Sequence, residues 1–140
     1  MKIYIASKYI KHHSINTKIH DALKGKGYDV FLPASIDIDA ITDEEMCKVA
    51  EICYKEIDNT DIFLAVIPFG LSVAAEVGYA ISIKRQHNRK MRIIFFDTGR
   101  NKRTMEKIQK EAMIWPYHEK PVVSSIDLVV SSIEELVGKI

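Results

Sequence analysis

The sequence predicts an α/β protein: a three-layer sandwich with helices on both faces of a five-stranded parallel sheet. Three observations predict it. Short runs rich in β-branched and aromatic residues alternate with amphipathic segments of about 12–17 residues. Two of those runs, "DIFLAVIP" (61–68) and "MRIIFF" (91–96), are apolar almost throughout, the mark of strands covered on both faces. No repeat, linker or low-complexity tract interrupts the alternation. With 140 residues, 47% of them hydrophobic, the chain can bury one core, and residues 1–140 read as a single domain.

The elements follow in order. "KIYIAS" (2–7) is the first strand, and "SINTKIHDALKGKGY" (14–28) carries a helical stripe at 15, 19, 22 and 23 that stops at Gly25 and Gly27. "YDVFLP" is the second strand, closed by Pro33, and a loop rich in Asp and Ile follows. Thr42 opens a helix with a capping-box pattern, T-D-E-E, running to about Asp58 with Met46, Val49, Ala50, Cys53 and Ile57 on one stripe. After the third strand (61–68) comes a helix over about 71–86, then the fourth strand (91–96) and a turn at Asp97-Thr98-Gly99. "KRTMEKIQKEAMI" reads as an amphipathic helix, Val122–Val123 as a short edge strand, and "SSIEELVGKI" as the closing helix with its own cap. Right-handed βαβ crossovers then favour the flavodoxin-like strand order 2-1-3-4-5, which puts ligands beyond the carboxyl ends of strands 1 and 3.

Bulk properties exclude some functions. Twenty basic and nineteen acidic residues leave a net charge of +1, which argues against a nucleic acid polymer or a membrane surface as partner. Cys47 and Cys53 lie on different faces of one predicted helix, so neither a disulfide nor a CxxC metal pair is expected. "MKIYIAS" reads as a strand and not as a secretory leader, and no run approaches the ~18 apolar residues of a membrane helix. The expectation is a cytoplasmic protein.

One residue stands out. In the helix over 71–86 the core-facing positions are Val73, Val77, Ala80 and Ile81, and Glu76 falls on the same stripe. Placed in the first turn, it would have its ionised form favoured by the helix dipole, by roughly 0.3–1 kcal/mol. The alternative reading is a partly buried glutamate that takes a hydrogen bond or salt bridge and does no chemistry. The preceding strand ends at Pro68, so the helix opens at the ligand edge, where the small residues Gly70, Ser72, Ala74 and Ala75 leave room for something to approach; Pro68, Gly70 and Ser72 are candidate substrate-binding residues. Ser7 and Lys8, in "SKYIKHHS" after the first strand, lie at the same edge and could hold a phosphate. His12 and His13 lack a carboxylate partner and do not read as metal ligands. "GRNKR" (99–103) is a weaker phosphate candidate, and Trp115-Pro116-Tyr117 suits either base stacking or a subunit interface.

"DIFLAVIPFGLSVAAEVGYAISI" and "KIYIAS" together resemble the nucleoside 2-deoxyribosyltransferase family and its nucleotide N-hydrolase relatives. The shared pattern is an Asp opening an apolar strand, a short loop, then Glu, an aliphatic residue, Gly, an aromatic or basic residue and Ala, which "EVGYA" matches throughout. The resemblance implies cleavage or transfer at the N-glycosidic bond of a (deoxy)nucleoside or nucleoside 5′-monophosphate. It places the nucleophile at Glu76, an orienting tyrosine at Tyr4 and a supporting aspartate at Asp61. No metal or other cofactor is needed for that chemistry, and a homodimer or higher homo-oligomer is implied.

The chain also departs from the family. An aspartate common eight residues before the one matched by Asp61 is here Cys53, which suits core packing; Glu56 is a possible spatial substitute. The loop at 69–72 lacks the acidic or amide residue that often holds the base. A catalytically weak or inactive nucleotide-binding module on the same fold is therefore the rival expectation. A response-regulator-like domain is disfavoured, because strand 3 ends in Ile67-Pro68 without a phosphoacceptor aspartate.

Overall fold

A computed structural model describes residues 1–33, 42–88 and 90–139. The Asp- and Ile-rich loop expected after Pro33 lies almost wholly outside the described residues. Five parallel strands form one sheet in the order β2-β1-β3-β4-β5, as the alternation predicts. They are β1 (Lys2–Ala6), β2 (Asp29–Phe31), β3 (Ile62–Ile67), β4 (Arg92–Asp97) and β5 (Glu119–Val123). The helices are α1 (His13–Gly25), α2 (Asp43–Asp58), α3 (Leu71–Gln86), α4 (Lys102–Gln109) and α5 (Ile126–Gly138). Among the described residues no helix is long and apolar enough to cross a membrane.

Local chemistry accounts for most boundaries. Thr42 Oγ1 accepts the Glu45 N–H at 3.2 Å and starts α2. Gly27, with φ +87°, takes the left-handed turn from α1 into β2 that a side chain would disfavour. All six residues of β3 are buried, as expected for a strand roofed on both faces.

Three boundaries near the C-terminus differ from expectation. α4 stops at Gln109, because Ile108 is its one buried residue and beyond it Ile114, Trp115 and Tyr117 are drawn against the core through a 3-10 turn. β5 is a full strand from Glu119, not a two-residue edge. α5 begins at Ile126, because the Ser125 hydroxyl accepts the Leu128 N–H at 3.2 Å and Val129 already reaches the core.

The pleat sends alternate strand residues to two cores. Ile3, Ile5, Leu64, Val66, Ile94 and Phe96 meet Ile19 and Leu23 of α1 and Val129 and Ile133 of α5. Tyr4, Ala6, Phe63, Ala65, Ile67 and Phe95 meet Cys53 and Ile57 of α2 and Val73, Val77 and Ala80 of α3. Register brings Tyr4 beside Phe31 and Phe63, and its ring stacks between them at centroid distances of 5.4 and 5.5 Å. That stack fixes the direction in which the Tyr4 hydroxyl points.

Candidate active site

The second core does not close completely. Between α2 and α3, at the carboxyl ends of β1 and β3, it opens into a cavity of about 660 Å³. Ser7, Lys8 and Tyr9 line it from the segment after β1, and Gly70, Leu71 and Ser72 from the start of α3. Met46, Val49, Ala50, Cys53 and Tyr54 form the α2 wall, and Glu76 projects from α3. This is the edge at which parallel α/β sheets bind ligands.

Glu76 is the sixth residue of α3, which begins at Leu71 and has no acidic residue in its first turn. The expectation that it sits in the first turn is therefore corrected, and the helix dipole, which acts mainly there, is not its principal support. Its half-buried side chain shares a stripe with the fully or nearly buried Val73, Val77 and Ala80. Burial pushes its carboxyl above the ordinary value of 4.5, and the Tyr4 hydroxyl pulls partly in the opposite direction. Tyr4 is wholly buried; burial first, then the Glu76 charge, push its phenol far above its ordinary range, so it stays a hydroxyl.

The two groups influence each other without closing a regular hydrogen bond: Tyr4 Oη and Glu76 Oε2 are both buried and unpaired. An unpaired buried carboxylate oxygen costs stability. Cys53 completes the floor, its thiol pushed up by burial first and by the Glu76 charge as well. It is a protonated thiol in the cavity wall, not an activated nucleophile.

Of the other candidates, Ser7, Lys8, Gly70 and Ser72 line the cavity, whereas Pro68 is not among its lining residues. The Lys8 stem runs over Gly70, where an added Cβ would sit 3.4 Å from Lys8 Cε. Asp61 is not brought to the site. It precedes β3 at the amino edge of the sheet, about 20 Å from the carboxyl edge at ~3.3 Å per residue. There its Oδ2 accepts the Lys2 N–H at 2.7 Å, which joins β1 to β3. Glu56 likewise serves that edge, in an ion pair with Lys2.

Two features escaped the sequence reading. The apolar stripe of α2 reads as one face, yet Met46 is 48% exposed, and the first half of the stripe walls the cavity. Helical periodicity reports an apolar face without saying whether protein or a ligand covers it. His12 is only 2% exposed, with its Nδ1 3.2 Å from Ser7 Oγ. No periodic signal marks that contact. Among the described residues no group of three or more His, Cys, Asp or Glu is arranged to hold a metal ion.

No family model and no curated protein matches the chain. Solved structures do match it. A 2-deoxyribosyltransferase from the psychrotolerant bacterium Bacillus psychrosaccharolyticus superposes with a TM-score of 0.72 at 18% identity, over 92% of this chain and 90% of that one. A 2-deoxyribosyltransferase from Leishmania mexicana gives 0.66 at 18% identity, over 96% and 97%. A conserved protein from Enterococcus faecalis V583 gives 0.61 at 19% identity, over 96% and 98%. These likenesses establish the fold. At such identities the chemistry has to be argued from the cavity itself.

Proposed function

We propose that the cavity cleaves or transfers at the N-glycosidic bond of a (deoxy)nucleoside or nucleoside 5′-monophosphate, with Glu76 as nucleophile. The observation that carries this reading is a buried, unpaired Glu76 carboxylate oxygen at a cavity that also exposes Ser7, Lys8 and Ser72. The fold shared with two deoxyribosyltransferases supports it. So does the "EVGYA" resemblance.

In this mechanism the Glu76 carboxylate attacks C1′ of the sugar. The C1′–N bond breaks, its electron pair leaves with the base, and a glycosyl ester forms on Glu76. Water or a second base then attacks C1′ and releases the carboxylate, and the proton that the attacking group gives up balances the one the departed base takes on. Desolvation makes the ionised carboxylate a better nucleophile than it is in water, and the Tyr4 hydroxyl helps to keep it ionised. The rate is therefore expected to rise with pH as Glu76 ionises, at a pH above the ordinary carboxylate range.

Met46, Val49 and Tyr54 offer an apolar and aromatic wall for a base. Asp61 has no part in this scheme. The protein would act in the cytoplasm as a homo-oligomer, which sedimentation equilibrium tests.

The decisive experiment incubates the protein with a panel of nucleosides and nucleoside 5′-monophosphates and measures released base. Release by wild type, its loss in Glu76→Gln, and a sugar adduct on the Glu76 peptide by mass spectrometry are expected. Equal activity in wild type and variant sinks the reading.

One observation favours a second reading, a nucleotide-binding module with little or no turnover. Among the described residues lining the cavity, Glu76 is the one carboxylate, and a protonated Cys53 thiol lies where a second acid could have served. Saturable nucleotide binding by calorimetry with no base released over long incubation would favour it.

A further inference from the structure

Ser7 and His12 form a polar pair at the cavity that the glycosidic scheme does not use. His12 caps the start of α1, and its N–H donates to the Lys8 carbonyl at 3.2 Å, so the segment 8–12 folds back on itself. That turn buries the imidazole and aims Nδ1 at the Ser7 hydroxyl, 3.2 Å away. Ser7 lines the cavity and His12 does not. His12 therefore makes no contact with a ligand there, and acts on it through the Ser7 hydroxyl and through its own charge.

We propose that His12 is a positioning residue: its ring sets the direction of the Ser7 hydroxyl, so that an anionic group in the cavity is held most tightly when the ring carries a proton. This rests on reading the cavity as a substrate site, and not on the glycosidic chemistry.

The argument is one of donors and acceptors. In this proposal the neutral ring carries its proton on Nε2 and accepts at Nδ1, so Ser7 donates to it and shows the cavity only oxygen lone pairs, which repel an anion. A doubly protonated ring donates at Nδ1; Ser7 then accepts there, and its O–H is free to donate into the cavity. Burial, and the positive charges of Arg100 from the turn after β4 and of Lys8 and Lys11 from its own segment, favour the neutral ring. Arg100 is tied to this segment, its Nη1 donating to the Lys11 carbonyl at 3.0 Å. An anion near Ser7 and Lys8 would offset those charges and free the ring to take up a proton. Anion binding and protonation of His12 thus favour each other.

Sulfate is a suitable probe, because it stays a dianion between roughly pH 5 and 8, where histidine titrates. Wild-type affinity for sulfate, measured by calorimetry, is expected to strengthen as pH falls, with a slope approaching tenfold per pH unit for one linked proton. Nitrogen-15 NMR of the wild-type imidazoles should show the His12 titration midpoint moving up when sulfate is added. His12→Asn keeps an amide in place of Nδ1 but cannot take up the proton, so it should bind sulfate without the pH slope. His13→Asn should keep the slope. Ser7→Ala should weaken sulfate binding at low pH by about tenfold, the loss of one hydrogen bond to a charged group.

The proposal is overturned if sulfate does not bind, if the wild-type slope is absent, if the slope survives in His12→Asn, or if the His12 midpoint ignores sulfate. None of these measurements needs turnover. An enzyme that releases base yet binds sulfate independently of pH sinks this proposal alone, and an inert protein with the expected slope sinks only the glycosidic one.

Discussion

The two faces of the sheet are built from alternate residues of the same strands, yet they solve different problems. The face under α1 and α5 is filled by Ile3, Ile5, Leu64, Val66, Ile94 and Phe96, aliphatic and aromatic side chains without a polar atom. The face under α2 and α3 carries the Tyr4 hydroxyl and the Cys53 thiol, with Glu76 beside them. Where it approaches the carboxyl edge it thins to the small pair Ala6 and Ala65, which sit side by side in register. One face spends its side chains on packing. The other gives up packing and hydrogen bonding to keep a cavity and a buried, unpaired carboxylate oxygen. The contrast fits the proposed function, which draws on the open face alone, while the other face serves packing.

Substitutions on the two faces should therefore move activity and stability in opposite senses. Glu76→Gln is expected to lower base release by at least about 10⁴-fold, as for loss of a covalent nucleophile. It should also stabilise the protein at neutral pH. Burial raises the Glu76 pKa in the folded state, so its contribution to stability is fully present below the unfolded value of 4.5 and is lost as pH rises through the folded value. The neutral amide never meets that loss. Equilibrium denaturation at pH 7 checks the sign: a variant less stable than wild type would mean that Glu76 is a structural residue. Leu64→Ala, at a fully buried position of the sealed face, should do the reverse. A loss of about 2–5 kcal/mol of stability is expected, with unchanged kcat in the folded fraction. A large fall in kcat there would mean that the two faces are coupled.

The sequence disclosed one face better than the other, for physical reasons. The burial of β3 and the inward direction of Glu76 follow from periodicity, because apolar runs and helical stripes report which side meets protein, and the strand order follows from the handedness of the crossovers. Asp61 shows the limit. An aspartate opening an apolar strand has the same sequence signature whether it serves chemistry or ties two strands together, and only the distance to Glu76 separates the cases. Met46 and Ala50 show another, since a cavity wall and a core wall are equally apolar. His12 meets Ser7 through a local turn with no periodic signature, so its burial was not legible. The C-terminal boundaries were missed because tertiary packing of Trp115 and Tyr117, and a cap at Ser125, overrode the local amphipathic pattern.

Tyr4→Phe probes the boundary between the faces with a smaller effect. The ring stack with Phe31 and Phe63 should survive, and the deleted hydroxyl has no regular hydrogen bond to lose, so stability should change little. The Glu76 carboxylate, however, loses the group that pulls its pKa down. The rising limb of the pH–rate profile should move to higher pH, with kcat lower by about a hundredfold. An unshifted profile would show that Tyr4 is a core aromatic and nothing more.

The mildest test compares the two ends of β3. Asp61 at the amino edge accepts one backbone N–H from Lys2, whereas Glu76, beyond the carboxyl edge, has an oxygen that accepts nothing. Asp61→Ala should cost about 1 kcal/mol, because it leaves the partly buried Lys2 amide short of an acceptor, and should leave kcat and KM as they are. Chemical denaturation and steady-state kinetics on one preparation separate the outcomes. A fall in kcat without a fall in stability would return Asp61 to the chemistry despite its distance. A loss of stability alone means that the paired carboxylate at this end of the strand does structural work and takes no part in the chemistry.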